Sequence, residues 1–188
     1  MTAQEPDLIR LEPDGRCEAL CTNPLDDWLY EQGIGPRLGG PGWVRTSNWR
    51  NYVATFLVHE GHLWVEEVEP LATAVVAARR RDRWTWREDR SGQDRELEPE
   101  ESWRKRAEIV NPQGRSFDLD GIFPREDESI VRDGEGRVRA DWYTGELRIP
   151  RGRMTGYVHG GYGSRYERDH LVMIEKGVVI RGWTRENG

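Results

Sequence analysis

Cysteine is nearly missing from this chain. Cys17 and Cys21 are the only two in 188 residues, which excludes the disulfide framework that staples small secreted domains and leaves reduced thiols as the expectation. Long apolar runs are missing too. The N-terminal MTAQEPDLIR has no apolar core of a secretion signal, and no run of about 18 apolar residues is available to cross a bilayer. A soluble cytoplasmic protein with no membrane partner is expected. Positive charge is short as well: the formal net charge of -6 offers no general attraction for nucleic acid or an anionic membrane. Neither nucleotide-binding device is present, because no glycine-rich run ends in Lys-Ser/Thr and none matches the dinucleotide fingerprint.

What the chain has is length, charge and aromatic rings. One domain spanning 1-188 is the simplest reading and is long enough to bury a core. A hydrophobic share of 36% against 33% charged would point to disorder in a chain without large apolar residues, but nine tryptophans and six tyrosines supply burial. No internal repeat is present.

The organising stretch is WRNYVATFLVHEGHLWVEEVE, from Trp49 to Glu69. Its alternation predicts a hairpin covered on both faces, turning at Glu60-Gly61 with His59 opposite His62, Phe56 opposite Val65 and Leu57 opposite Trp64. This register gives Tyr52, Ala54, Phe56, Val58, Leu63 and Val65 one face, and a slip of one residue would expose them all.

Around it, Pro13-Asp14-Gly15 predicts an opening hairpin within residues 7-21. Asn23 as N-cap and Pro24 at the first helical position predict one short helix ending near Gly33, with Leu25, Trp28 and Leu29 buried. The run 33-42 reads as loop; in 71-81 the alanines favour helix and the two valines strand, with strand preferred; Trp84-Thr85-Trp86 reads as strand, and 103-110 as renewed structure. Residues 88-101, EDRSGQDRELEPEE, hold one leucine in fourteen and read as a mobile charged loop. Phe117 to Phe123 reads as a strand, followed by a turn at Asp133-Gly134. A second hairpin turning at Thr144-Gly145 would set Trp142 against Leu147, Ala140 against Ile149 and Asp141 against Arg148. A third joins His170-Ile174 to Val178-Trp183 through Lys176-Gly177. The fold class is therefore mainly β, with α+β the alternative. Antiparallel hairpins would form a sandwich, barrel or strongly bent sheet over a tryptophan-rich interior, with one short N-terminal helix.

Three tracts in order, WRNYVATF (Trp49 to Phe56), ADWYTGELRIPRG (Ala140 to Gly152) and YVHGGYGSRYE (Tyr157 to Glu167), resemble those of a family of small uncharacterised bacterial proteins. The resemblance implies a single-domain soluble chain and no activity, ligand or catalytic residue.

The best candidate surface is MTGYVHGGYGSRYER, Met154 to Arg168. Glycines there allow close backbone approach, and tyrosines offer flat area with a hydroxyl at the tip. Tyr157, His159, Tyr162, Arg165 and Tyr166, with Asp141 and Tyr143 from the preceding tract, form the expected ligand-binding set. The alternative is a plain connection whose glycines make turns. An enzymatic version would use His159 as general base, oriented by Asp141, beside Ser164, in a small hydrolase-like site. Ser164 lies outside a G-x-S-x-G elbow, so no catalytic residue is assigned.

Two further constellations fall short. Cys17, Cys21, His59 and His62 are zinc-ligand types, but His-x2-His is too short for the usual pattern, so no metal and no cofactor is expected. Arg79, Arg80, Arg81 and Arg83 beside Trp84 and Trp86 could stack and attract single-stranded nucleic acid, but the neighbouring acidic run opposes it. The expectation is a non-catalytic module that binds another protein, an inhibitor or immunity-type partner whose overall acidity suits a basic target. Oligomeric state is not legible.

Overall fold

The computed structural model describes residues 5-32, 50, 52-70, 87-88, 94-95, 119-159 and 162-188. The opening hairpin pairs β1 (Asp7–Arg10) with β2 (Glu18–Leu20), and the Gly15 amide donates to the Glu12 carbonyl at 2.9 Å across its turn. The helix α1 (Asp26–Glu31) starts later than its punctuation predicts. Leu25 occupies the N-cap with no side-chain cap, and Asn23 instead offers its carbonyl to the Asp26 amide at 3.2 Å. Its apolar stripe is the expected one: Leu25 and Leu29 are buried and Trp28 packs against the core.

The central hairpin has the expected register. β3 (Tyr52–His59) and β4 (His62–Pro70) pair His59 with His62, Leu57 with Trp64 and Phe56 with Val65. Glu60 and Gly61 both take positive φ, 49° and 74°, as a two-residue turn between right-twisted strands requires. The pairing then shifts, Phe56 with Val65 but Thr55 with Glu67, so Glu66 is the extra residue of a bulge. Its carboxylate forks onto Arg10 of β1.

Two short segments, β5 (Arg87–Glu88) and β6 (Asp94–Arg95), form a separate two-stranded pair that, but for Arg87, falls in the tract expected to be loop. The rest of 88-101 lies outside the described residues. So do the glycine-rich loop, the segments 71-81, 84-86 and 103-110, and the arginine-tryptophan patch. The strand expected at Phe117 to Phe123 is instead a helical turn, α2 (Leu119–Ile122). Its successive residues Ile122 and Phe123 are both fully buried, which a helical end before Pro124 accommodates and a half-covered strand does not.

The hairpin expected around Thr144-Gly145 does not form. The strand β7 (Val138–Arg139) pairs with β4, Val138 with Val65 and Arg139 with Trp64, while β8 (Gly145–Gly156) pairs with β9 (Arg165–Glu175). Residues 140-144 turn tightly between them, with the Tyr143 amide donating to the Ala140 carbonyl at 2.9 Å. Val138, Ala140, Leu147 and Ile149, which the expected hairpin would place on one apolar face with Trp142, are all fully buried despite this change of partner, and Trp142 packs partly buried against them. The final hairpin, β9 with β10 (Val178–Glu186), turns at Lys176-Gly177 as expected.

The result is one mixed, mainly antiparallel sheet in the order β2-β1-β3-β4-β10-β9-β8, with β7 beside β4; β1 and β3 run parallel. The sheet is open but strongly bent. Its two ends meet at one place, where the Cys21 amide donates to the Arg148 carbonyl at 2.8 Å and Arg151 forks onto Glu18 at 2.7 and 2.9 Å. Leu25, Leu29, Ile122 and Phe123 join the apolar face of the strands. Among the described residues the interior is aliphatic, with Tyr52, Phe56 and Phe123, and Trp64 is the one buried tryptophan. Trp28 and Trp142 stack with Phe123 at its rim, with ring centroids 4.5 to 5.3 Å apart. No helix among the described residues is long and apolar enough to cross a membrane.

The two hairpin glycines separate backbone strain from crowding. At Gly61 a Cβ would meet nothing within 4 Å, whereas at Gly177, with nearly the same φ of 76°, it would lie 2.9 Å from Asp141 Oδ1 and 3.0 Å from the Ala140 carbonyl oxygen. Gly61→Ala is expected to cost about 1 kcal/mol for left-handed backbone alone, and Gly177→Ala at least about 1 kcal/mol more. Urea unfolding of both variants checks the difference.

Candidate functional site

The expected site residues divide between the two ends of β9. Asp141 and Tyr143 lie beside its C-terminal end, where Asp141 sits against Gly177 and takes both Arg139 Nε (2.6 Å) and Nη2 (2.9 Å), and where the Tyr143 carbonyl accepts from the Gly177 amide. The Tyr143 ring covers Gly145, and its hydroxyl donates to the Glu146 carbonyl. Tyr157, His159, Tyr162, Arg165 and Tyr166 lie at the other end. Eleven strand residues at roughly 3.3 Å each keep the two groups about 30 Å apart. Asp141 therefore does not orient His159, and its pairing with Arg148 is replaced by pairing with Arg139. His59 and His62 face each other at their hairpin tip. No group of three His, Cys, Asp or Glu among the described residues is placed to hold a metal.

At the β8-β9 end, the connection forms a tip. Met154, Tyr157 and Val158 are 50%, 58% and 43% exposed, unusual for adjacent large side chains without a cover. The Tyr157 hydroxyl and His159 Nδ1 are 3.2 Å apart, with the rings edge to face. Ser164 is buried, and its hydroxyl accepts from the Val158 amide at 3.2 Å, which folds the tip on itself. No hydrogen bond joins Ser164 to His159.

The tip is held from beneath by an ionic group that the sequence reading missed. Asp169 is buried, and its Oδ1 lies 3.0 Å from Arg148 Nε while its Oδ2 accepts from Arg185 Nη2 (3.0 Å) and Asn187 Nδ2 (2.9 Å). Arg148 spends its remaining nitrogens on the Tyr162 carbonyl (2.7 Å) and the Ser164 carbonyl (2.9 Å). Burial pushes the Asp169 carboxyl up, and the hydrogen bonds from Arg148, Asn187 and Arg185 more than reverse this, leaving it below the usual carboxylate range. Leu147 and Ile149 face the core, so Arg148 points to the opposite face, where Leu171 is its direct partner and Asp169 its diagonal one. Beside this group opens a pocket of about 440 Å³ lined by Arg148, Gly163, Arg165, Asp169, Arg185, Asn187 and Gly188. Arg165 is exposed at its wall, and the Tyr166 carbonyl accepts from Asn187 Nδ2 at 3.1 Å.

Tyr162, expected to face a ligand, turns inward and donates to the Glu5 carbonyl at 3.2 Å. It borders a second buried polar group. Asp7 is fully buried, with Oδ2 2.8 Å from Arg50 Nη1 and Oδ1 accepting from the Ala54 amide at 2.9 Å. Tyr52 donates to Asp26, and the Arg50 guanidinium lies 4.9 Å above the Tyr52 ring. Burial raises the Tyr162 hydroxyl well above its ordinary value and lifts the neighbouring Cys21 thiol to about 11, so neither is charged at neutral pH. Desolvation lifts the Asp7 carboxyl to about 6 despite Arg50.

No family model, curated protein or solved structure matches the chain.

Two outcomes follow from these buried charges. The folded state holds a proton on Asp7 more tightly than the unfolded chain, so the stability it contributes is fully present below about pH 4 and is lost as pH rises through about 6. Carbon-13 NMR should place its carboxyl midpoint near 6, and Asp7→Asn should remove that segment of the stability profile. Arg148→Met strips a buried carboxylate of one partner and frees two carbonyls, and should cost about 3 kcal/mol in denaturant unfolding.

Proposed function

We propose that the protein is a non-catalytic binding module that docks another protein through the tip formed by Met154, Tyr157, Val158 and His159. The observation that carries this reading is the exposure of two adjacent large side chains, Tyr157 and Val158, on a connection whose Tyr162 is held by Arg148 through its carbonyl and by Glu5 through its hydroxyl. An enzyme of the His159 type needs an enclosed site, and here His159 is exposed and does not line the pocket. A surface that is aromatic, presented by fixed backbone and open to solvent instead suits an interface centre, where Tyr is enriched and pre-ordering limits the entropic cost of association. An inhibitor or immunity-type role fits such a module, since it requires a stable scaffold and a charged interface and no bond-making chemistry.

Affinity capture from a native lysate with wild-type and Tyr157→Ala protein tests the reading. The expected outcome is one stoichiometric protein partner retained by the wild type and weakened about tenfold or more by Tyr157→Ala, with unchanged unfolding midpoint. Labelling of Ser164 by an acylating probe, abolished in His159→Ala, would replace the binding reading with the hydrolase one.

A further inference from the structure

The chain is acidic overall, but the docking end is not. Between Arg148 and Arg168 there are five arginines and one acid, Glu167. The pocket beside the tip gathers Arg148, Arg165 and Arg185 against Asp169, with Gly188 completing the wall. That carboxylate has no capacity to neutralise a third arginine: Arg148 faces one oxygen, and Arg185 and Asn187 occupy the other. Arg148 is spent on Asp169 and two carbonyls. Arg165 makes no hydrogen bond or ion pair among the described residues, and Arg185 keeps one nitrogen uncommitted. Two guanidinium groups therefore border a hollow with donors to spare, a fork geometry that matches carboxylate oxygens.

Resting on the docking reading above, we propose that this pocket receives a carboxylate side chain of the partner, so the segment that docks across the tip is acidic. The tip and the pocket belong to one connection: Val158 is hydrogen-bonded to Ser164, and Gly163 and Arg165 on either side of Ser164 line the pocket. A partner covering Tyr157 and Val158 thus has a neighbouring acidic side chain within reach of Arg165. The local charge reverses the expectation of a basic target drawn from the net charge, because steering and pairing at an interface depend on the charges near it and solvent ions screen the rest beyond about 8 Å at physiological salt.

Titration of nitrogen-15-labelled full-length protein with hexaglutamate tests the proposal. Saturable shifts at Gly163, the Arg165 side chain and the Asn187 side chain are expected, with no such shifts from hexalysine. Arg165→Gln should weaken binding about tenfold, the effect of losing roughly one charge-assisted hydrogen bond, and Arg165→Lys should lie between. Arg165 is exposed and unpaired, so neither variant should move the unfolding midpoint. Absence of saturable shifts, or an unchanged response in Arg165→Gln, overturns the proposal. Inorganic phosphate at equal ionic strength shifting the same signals as strongly would overturn it in favour of a free oxyanion site. If hexaglutamate fails while a captured partner still depends on Tyr157, the pocket assignment alone falls. If hexaglutamate binds through Arg165 and no partner depends on Tyr157, the carboxylate chemistry stands and the docking reading falls.

Discussion

One buried carboxylate sets the geometry of the end of the molecule where β8 passes to β9. Asp169 draws Arg148 from β8, Arg185 from β10 and Asn187 beyond it onto a single strand position. A desolvated charge costs several kcal/mol unless it is paired with opposite charge, so these partners cannot drift without exposing that cost. Arg148 then passes the constraint on through its remaining donors to the carbonyls of Tyr162 and Ser164. The described residues 162-164 that lead into β9 are placed by this chain of contacts, because their backbone carbonyls are held to a side chain that is itself held.

A second buried pair does similar work from the opposite flank. Arg50 neutralises Asp7, and Tyr162 reaches past this pair to the Glu5 carbonyl. The two ionic groups differ in balance. Asp169 has enough donors to remain ionised more readily than a free carboxylate, whereas desolvation outweighs the partners of Asp7. Both are better read as specifying geometry than as adding stability, since buried ion pairs seldom outperform apolar packing. Between them they hold Tyr162 by its carbonyl and its hydroxyl, and Ser164 in turn accepts from the Val158 amide beside the exposed Tyr157.

The bent sheet explains how these groups come together. β1 and β2 carry Asp7 and Glu18, and β8 carries Arg148 and Arg151, at opposite ends of the strand order. Curvature returns β2 to β8, where one backbone hydrogen bond and the Arg151-Glu18 fork join them. The locally basic end and the acidic remainder of the chain are thus parts of one scaffold, and the net charge of -6 describes neither alone.

Hairpins closed by two residues were legible residue by residue. Glu60-Gly61 and Lys176-Gly177 adopt the positive φ that such a turn demands, and in the central hairpin alternation leaves one register that buries Tyr52, Ala54, Phe56, Leu63 and Val65 together. The tip was legible as a concentration of tyrosine and glycine, but Tyr162 was not legible as an inward anchor, because a loop side chain's direction depends on what lies beneath it. β7 shows the limit most clearly. Alternation correctly placed Val138, Ala140, Leu147 and Ile149 on one apolar face, yet that face is equally satisfied whether β7 pairs with β8 or β4. The pairing of Arg148 with Asp169 was hidden for a related reason: a connection with two register shifts breaks the count from turn to partner. Local periodicity and turn chemistry act over a few residues and were determined by the sequence alone. Strand partners, the parallel β1-β3 contact and the buried ion pairs depend on which distant surfaces exclude water together, and only the tertiary structure decided them.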